Sequence, residues 1–336
     1  MQSEQQLKRA GVPSTESLGN FLRAILARQE AAILIALAIF LAIFFVRNPV
    51  MLAPLTVSSI LRTMAFPGIV AMGMVMLMIA GEIDLSTGAV MSLSAVLSAW
   101  LMTVAGLPIW LSLLLALAAA VGVGAINGLL SVKIGVHSVI ATMSMLFAVR
   151  GASYLFTNGR PIYPLPPELA VIGKWTPLGL SPALFLMIVL MIGVQVLLNR
   201  TRWGSMIFAT GGNKQAAQIC GINTDRVKLL CFMFTSLLAG CTGILVMVNL
   251  PIPSGDPIIG RNVELDIIAG VILGGVSFYG GRGSAIGTFL GVLTIQVVRS
   301  GLVVARFDPY LQTAALGVLL LIAASVDVIR HRRSER

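Results

Sequence analysis

Residues 64–105 form one apolar block of about 42 positions, interrupted near its middle by two acids in the stretch AGEIDLSTGAV, residues 80–90. As a single helix the block would measure about 63 Å, twice the ~30 Å of bilayer hydrocarbon, so it must make two passages. Apolar runs of this kind continue along the chain, which is 57% hydrophobic and 11% charged. Soluble domains carry roughly 25% charged residues, so the composition points to a membrane-embedded protein. The expected fold class is an all-α polytopic membrane protein.

Ten runs qualify as membrane helices: 31–47, 63–81, 86–105, 109–131, 138–157, 180–198, 229–250, 265–280, 284–305 and 310–329. The eighth is short and glycine-rich. Residues 49–62, PVMLAPLTVSSILR, are broken by proline and read as an amphipathic connector at the membrane surface. Ten passages put both termini on one side. If that side is the cytoplasm, the tails and inner connections hold 15 of the 23 Lys and Arg residues, as the positive-inside bias requires. The net charge of +10 is therefore a matter of orientation and not of nucleic-acid binding. The N-terminal segment lacks the pattern of a cleaved signal peptide. The expected organisation is a cytoplasmic tail (1–30), one transmembrane domain (31–329) with a cytoplasmic loop at 199–228, and a basic cytoplasmic tail (330–336).

The loop, NRTRWGSMIFATGGNKQAAQICGINTDRVK, is the longest polar stretch between spans. Gly211, Gly212 and Asn213 read as a turn, with Asn213 as a helix cap. Gln215, Ala216 and Ala217 then continue a short helix, which Gly221 ends in the left-handed conformation before Ile222. Asn223 to Asp225 offer a second cap. A helix of two turns is not stable alone in water, so it needs a surface to pack on, and its small central residues suit a socket in a cytoplasmic partner. On the outer side, the Pro-rich segments 158–179 and 251–263 suit a docking face or serve as ordinary loops.

At these residues the chain resembles a known family. ATGGNKQAAQICGINTDRVK is similar to the cytoplasmic loop of permeases from bacterial ABC importers of the ribose, xylose and galactose type. GEIDLSTGAVMSLSA resembles that family's G-x-I-D-L-S-x-G stretch, carried here by Gly81, Asp84, Ser86 and Gly88. Glu82 stands where the family more usually has Gly. INGLLSVKIGVHSVIATMSML and ELDIIAGVILGGVSFYGGRGSAIGTFLG extend the resemblance, which covers about residues 35–330. It implies a fold similar to the ten-helix importers of the vitamin B12 type. It also implies a pore made with a second permease copy or a related permease, a cytoplasmic ATPase with two nucleotide-binding cassettes, a periplasmic sugar-binding protein and a bacterial inner-membrane location. ATP and magnesium would be bound by the partner ATPase, with no cofactor in this chain. The helix at 213–222 would be the element that couples to the ATPase.

The chain's own motifs supply no motor and no enzyme. GGRGSAIGT, residues 280–288, lacks the lysine of a phosphate loop, and the two histidines, His137 and His331, give no plausible triad. Cys220, Cys231 and Cys241 form no metal-binding spacing and read as soft packing residues. Gly283, Gly287 and Gly291 recur at i, i+4 and i+8, Gly270 and Gly274 at i and i+4, and Gly124 and Gly128 likewise. Such faces let membrane helices approach closely. Arg150 and Arg299 either snorkel or form ion pairs, and Glu264 with Asp266 complements a helix N-terminus. Candidate path-lining groups are neutral: Asn127, Thr142, Ser144, Asn249, Thr294 and Gln296. Each of the Ser and Thr residues is equally able to bond its own i−4 carbonyl.

These features favour an importer permease for a monosaccharide or related neutral polyol. The alternatives are the same machine for a furanosyl signalling molecule, a nucleoside or a branched-chain amino acid, or an ion-coupled secondary carrier. A carrier would want paired carboxylates near the midplane, whereas the acids here fall at span ends. Glu82 and Asp84 then mark a reversal on the cytoplasmic side, with Asp84 or Ser86 capping the third span and Gly88 keeping its first turn slim. A broken or re-entrant second span would instead place Asp84 within the translocation unit.

Overall fold

A computed structural model describes residues 29–334. Residues 1–28 and 335–336, from the two expected tails, lie outside the described residues. Helix α1 (Gln29–Arg47) is followed by a 3-10 turn (Pro49–Leu52) and by α2 (Pro54–Ile79). Then come α3 (Thr87–Thr103), α4 (Ile109–Leu129, prolonged by a π turn at Leu130–Ile134), α5 (Ser138–Thr157) and the short α6 (Leu169–Lys174). After these follow α7 (Pro182–Arg200), α8 (Arg202–Gly212), α9 (Lys214–Ile219), α10 (Thr224–Asn249), α11 (Val263–Leu273), α12 (Ala285–Val304) and α13 (Pro309–Ser334). Among the described residues there is no β-strand, only one bridge between Ile162 and Gly255.

Among the described residues, six helices are long and apolar enough to cross a membrane: α2, α4 with its π turn, α5, α7, α10 and α12. The expected ten runs all carry helix, but two boundaries need correction. Residues 49–62 are not one surface connector. Pro54 sits in the first turn of α2, where its missing N–H was unpaired anyway, and 54–62 is the start of that long helix. The eighth run is helical only over Val263–Leu273, about 16 Å at 1.5 Å per residue and half of what a passage needs.

The centre of the molecule is α10, packed against α4, α2 and α3. Gly124 and Gly128 let α4 lie directly on Phe232, Ser236 and Leu229 of α10, as the spacing predicts. Phe232 is fully buried there. Five methionines of α2 (Met64, Met72, Met74, Met76 and Met78) are buried in the same core, where their flexible side chains suit irregular space. A second cluster joins α1 to α2 and α12, with Phe44 over Gly301.

Two stretches run back into this bundle without helix. Helix α2 passes Thr235 of α10 at Gly73 and ends at Ile79, beside Gly211 and Gly281. The chain then climbs back as an extended segment and brings Asp84 to Ser236, 12 residues or about 18 Å along α10. From there α3 continues over Gly240 and Gly243, with Ser94 and Met91 against them. The second stretch, 251–262, returns from the far end of α10 along α3. Gly255 lies against Ala95 and Ala99, Ser92 donates to the carbonyl of Pro257 (2.9 Å), and Gly260 reaches Gly88. There α11 begins, running towards Gly274, which packs on Gly287 and Thr288 of α12.

Candidate functional site

The segment 80–86 is the least regular part of the interior, and neighbouring side chains satisfy its backbone. Gly81 takes a left-handed φ of +83°, which opens the turn out of α2. Ser138 Oγ accepts from Ile83 N–H (3.4 Å), and Thr142 Oγ1 accepts from Leu85 N–H (3.0 Å). Thr142 passes its own proton to the carbonyl of Ser138 (2.8 Å). Two hydroxyls one turn apart on α5 thus stand in for a helix or a sheet partner. Inside a membrane protein such backbone groups have no water to turn to.

Asp84 is fully buried. Its Oδ1 accepts from the backbone N–H of Ser86 (2.8 Å), from Ser86 Oγ–H (2.6 Å) and from Asn127 Nδ2 (3.4 Å). Oδ2 faces the hydroxyl of Ser236 (3.5 Å), while Asn127 also donates to Ser86 Oγ (2.9 Å). The carboxylate therefore ties the extended segment to α4 and α10. The reading of Asp84 as part of a surface reversal is corrected: it is an interior group on a non-helical stretch. Ser86 precedes α3, but its side chain caps nothing and instead serves Asp84.

Glu82 faces the other way. Its Oε1 lies 2.7 Å from Lys228 Nζ and its Oε2 accepts from Ser131 (3.1 Å), with both charged side chains only 12% exposed. Lys228 stands at the foot of α10, so the pair clamps the first break to the start of that helix. Glu82 thus comes together with a base that neutralises it.

At Gly88 the two breaks meet. Glu264 is buried against Gly88, 3.7 Å from Arg150 of α5, and Arg299 of α12 binds Asp266 at 2.8 Å. The ion-pair reading of both arginines stands. Among the described residues Glu264 Oε2, Arg150 Nη2 and Asn127 Oδ1 have no hydrogen-bond partner.

The loop 199–228 holds two helices. Its first half is α8, which Thr201 caps and which includes Gly211 and Gly212. They end a helix and do not form a free turn. Gly211 presses on the carbonyl of Ile79, next to the Gly281 N–H that bonds the same carbonyl (2.8 Å), so nothing larger fits. Asn213 caps α9 by accepting from Ala216 N–H (2.9 Å), Gly221 follows with φ +82°, and Asn223 caps α10 by accepting from Arg226 N–H (3.0 Å). Ala217 is turned into the protein. The outward face is Gln215, Ala216, Gln218 and Ile219, the last 87% exposed.

The remaining candidates are spread out. Asn127 and Thr142 serve the first break. Ser144, Asn249 and Thr294 bond their own i−4 carbonyls. Gln296 donates across to Thr63 of α2 (2.9 Å). Gly287 and Gly291 of α12 meet Gly274 and Gly270 of α11, but Gly283 precedes the helix and packs on Val276 and Ile79. The N-terminus of α12, in the segment tested for a phosphate loop, is already filled. Ser284 caps it and Gln195 Oε1 accepts from the N–H groups of Ala285 (2.9 Å) and Ile286 (3.2 Å). Ser138, Ser236, Lys228 and Gln195 escaped the sequence reading, since nothing local distinguishes them from other span residues.

A profile of the family described as branched-chain amino acid transport system / permease component matches residues 56–324. The chain belongs to this family. It is 35% identical over 301 residues to the ribose import permease of Bacillus subtilis (strain 168), which covers 89% of this chain and 92% of the relative. The galactose/methyl galactoside import permease of Escherichia coli (strain K12) is 31% identical, over 91% of this chain and 96% of its own. The autoinducer 2 import permease of Enterobacter sp. (strain 638) is 30% identical, over 93% and 92%. No solved structure matches the chain. The family membership agrees with the all-helical architecture and with its apolar spans.

Proposed function

We propose that this chain is the membrane-spanning permease of an ATP-binding-cassette importer for a monosaccharide, seated in the bacterial inner membrane with both termini in the cytoplasm. Of the ten apolar runs, the third and the eighth begin inside the bilayer from re-entrant stretches. The relatives named for ribose and galactose import support the cargo class, and the autoinducer 2 permease marks the nearest alternative cargo. The observation that carries the reading is α9: a six-residue helix, capped by Asn213 and stopped before Gly221, with Ile219 almost wholly exposed. A helix this short has no stability of its own in water, so it is held by its Asn213 cap and by the surface behind Ala217, which leaves its outward face free to meet a partner. In this reading Gln215, Ala216 and Ile219 dock in a cytoplasmic ATPase, a periplasmic binding protein delivers the sugar, and a second permease completes the pore.

The test is uptake of radiolabelled ribose and galactose by proteoliposomes holding the permease, a double-cassette ATPase and a sugar-binding protein encoded beside it. Import that needs ATP inside and binding protein outside is expected. An ATPase rate indifferent to binding protein and sugar overturns the reading.

A further inference from the structure

Where α4 ends and α10 begins, the two helices leave a pocket of about 250 Å³ between them. Its floor is apolar and its rim is basic. Leu129 of α4 and Leu229 of α10 line the floor, and Gly128, in contact with Leu229, lets the helices close it. Lys133 and Arg226 line the rim, each one turn nearer to its helix end than the leucine of the same helix. Lys133 and its neighbour Val132 belong to the π turn Leu130–Ile134, a rare geometry that recurs at functional sites. Both basic residues are exposed and, among the described residues, neither is in an ion pair. The acid in the lining, Asp225, lies 3.4 Å from Lys214. The two cations of the rim are thus left without a partner.

Both helices are long and apolar enough to cross a membrane, and the two cations stand at the ends of those passages, Ile109–Ile134 and Thr224–Asn249. Charged groups at such ends lie level with the lipid headgroups, and the leucines one turn further in lie level with the tops of the chains. The outward face of α4 stays apolar below the rim, where Leu129 and Ile126 are both exposed. Unpaired cations above an apolar slot complement a phospholipid phosphate above its acyl chain, and basic pockets so placed between membrane helices take anionic headgroups. We infer that this pocket binds one anionic phospholipid, with its phosphate between Lys133 and Arg226 and the top of one chain along Leu129 and Leu229. A zwitterionic lipid brings no net charge to answer two cations, so the site prefers a headgroup such as phosphatidylglycerol. Held there, the lipid joins α4 to the foot of α10, two residues from the Lys228 that clamps the first break. The site is separate from any cargo path and from the outward face of α9, so it stands or falls independently of the importer reading.

Binding is measured by native mass spectrometry on the full chain in detergent micelles, titrated with phosphatidylglycerol, phosphatidylcholine or inorganic phosphate. One phosphatidylglycerol per chain is expected, held about tenfold or more tighter than phosphatidylcholine and not displaced by millimolar inorganic phosphate. Each cation near an anionic headgroup contributes about fivefold, so Lys133→Gln with Arg226→Gln should weaken binding about 25-fold. Lys133→Arg with Arg226→Lys keeps both charges and should restore it. Arg202→Gln removes an exposed cation at the start of α8, outside the pocket, and should leave binding unchanged. Equal affinity for the two lipids overturns the inference, as does a glutamine double variant that keeps its lipid. A loss in Arg202→Gln equal to that of the double variant would show that net charge alone attracts the lipid, and overturns it as well. Displacement by inorganic phosphate would make the pocket a free-anion site, and loss of the lipid when a partner ATPase or a second copy joins the chain would assign the pocket to that protein; either result overturns the lipid site.

Discussion

The Glu82–Lys228 pair allows a quantitative test of how the first break is fixed. Glu82→Gly leaves Lys228 without its 2.7 Å partner, in a setting where its side chain is 12% exposed. Removing one member of a buried pair costs about 3–5 kcal/mol. Residual water contact and the long lysine stem, which lets the ammonium reach the membrane surface, bring the expected loss to about 2–3 kcal/mol. Lys228→Met should cost about the same, since Glu82 then keeps only the Ser131 hydrogen bond of 3.1 Å. The double variant has no stranded charge, so its loss should be about 2 kcal/mol, less than the sum of the singles by about 3 kcal/mol. The assay is reversible denaturation of the purified permease in mixed detergent–lipid micelles, with all four members of the cycle measured alike. Single losses that add to within about 0.5 kcal/mol would show the pair to be uncoupled and refute the clamp.

Three further outcomes follow from the geometry. Asp84→Ala strands the Ser86 N–H and O–H donors and should destabilise the permease by about 3 kcal/mol in the same micelle assay; Asp84→Asn, which keeps an acceptor for Ser86, should cost less than half as much. Ala216→Arg on the outward face of α9 should leave insertion and yield intact while lowering sugar-stimulated ATPase activity about tenfold or more; Ala217→Arg, at a buried position, should lower the yield of folded permease on a fluorescence-detected gel-filtration column. Gly287→Leu drives a side chain into the backbone of Gly274 and should reduce folded yield severalfold, whereas Gly193→Leu, which meets nothing within 4 Å, should leave it unchanged on the same column.

Much of the helical plan is legible in the sequence because membrane helices announce themselves by length and hydropathy. The caps around α9 are legible for a different reason: Asn213, Gly221 and Asn223 act on backbone groups within three residues of themselves, so a local reading suffices. The depth of 80–86 is not legible in that way. Hydropathy assigns the flanking apolar residues to two spans and leaves the acids between them as a surface turn. What takes them inside is a set of partners 41 to 152 residues away, namely Asn127, Ser138, Thr142 and Ser236, whose hydroxyls and amide look the same in sequence whether they bond their own helix or another segment. The same holds for the Pro-rich stretches 158–179 and 251–263. Their composition marks them as extended, but only the fold pairs Ile162 with Gly255 by two backbone hydrogen bonds of 3.1 Å.

The geometry also explains why carboxylates are buried where the two breaks meet. Helix α3 begins at Thr87 and α11 at Val263, and Gly88 and Glu264, each in the first turn of its helix, are in contact. Two helices, of 17 and 11 residues, thus direct their N-termini, each equivalent to about half a positive charge, into the protein interior. Unscreened, these ends would repel one another in a medium of low dielectric constant. Asp84 binds the N–H of Ser86, just ahead of α3, and Glu264 lies in the first turn of α11 and against that of α3, so each end has a carboxylate. Discontinuous helices in other transporters use such ends to hold an anionic substrate. Here the protein's own carboxyl groups occupy those ends. That agrees with the proposed neutral cargo.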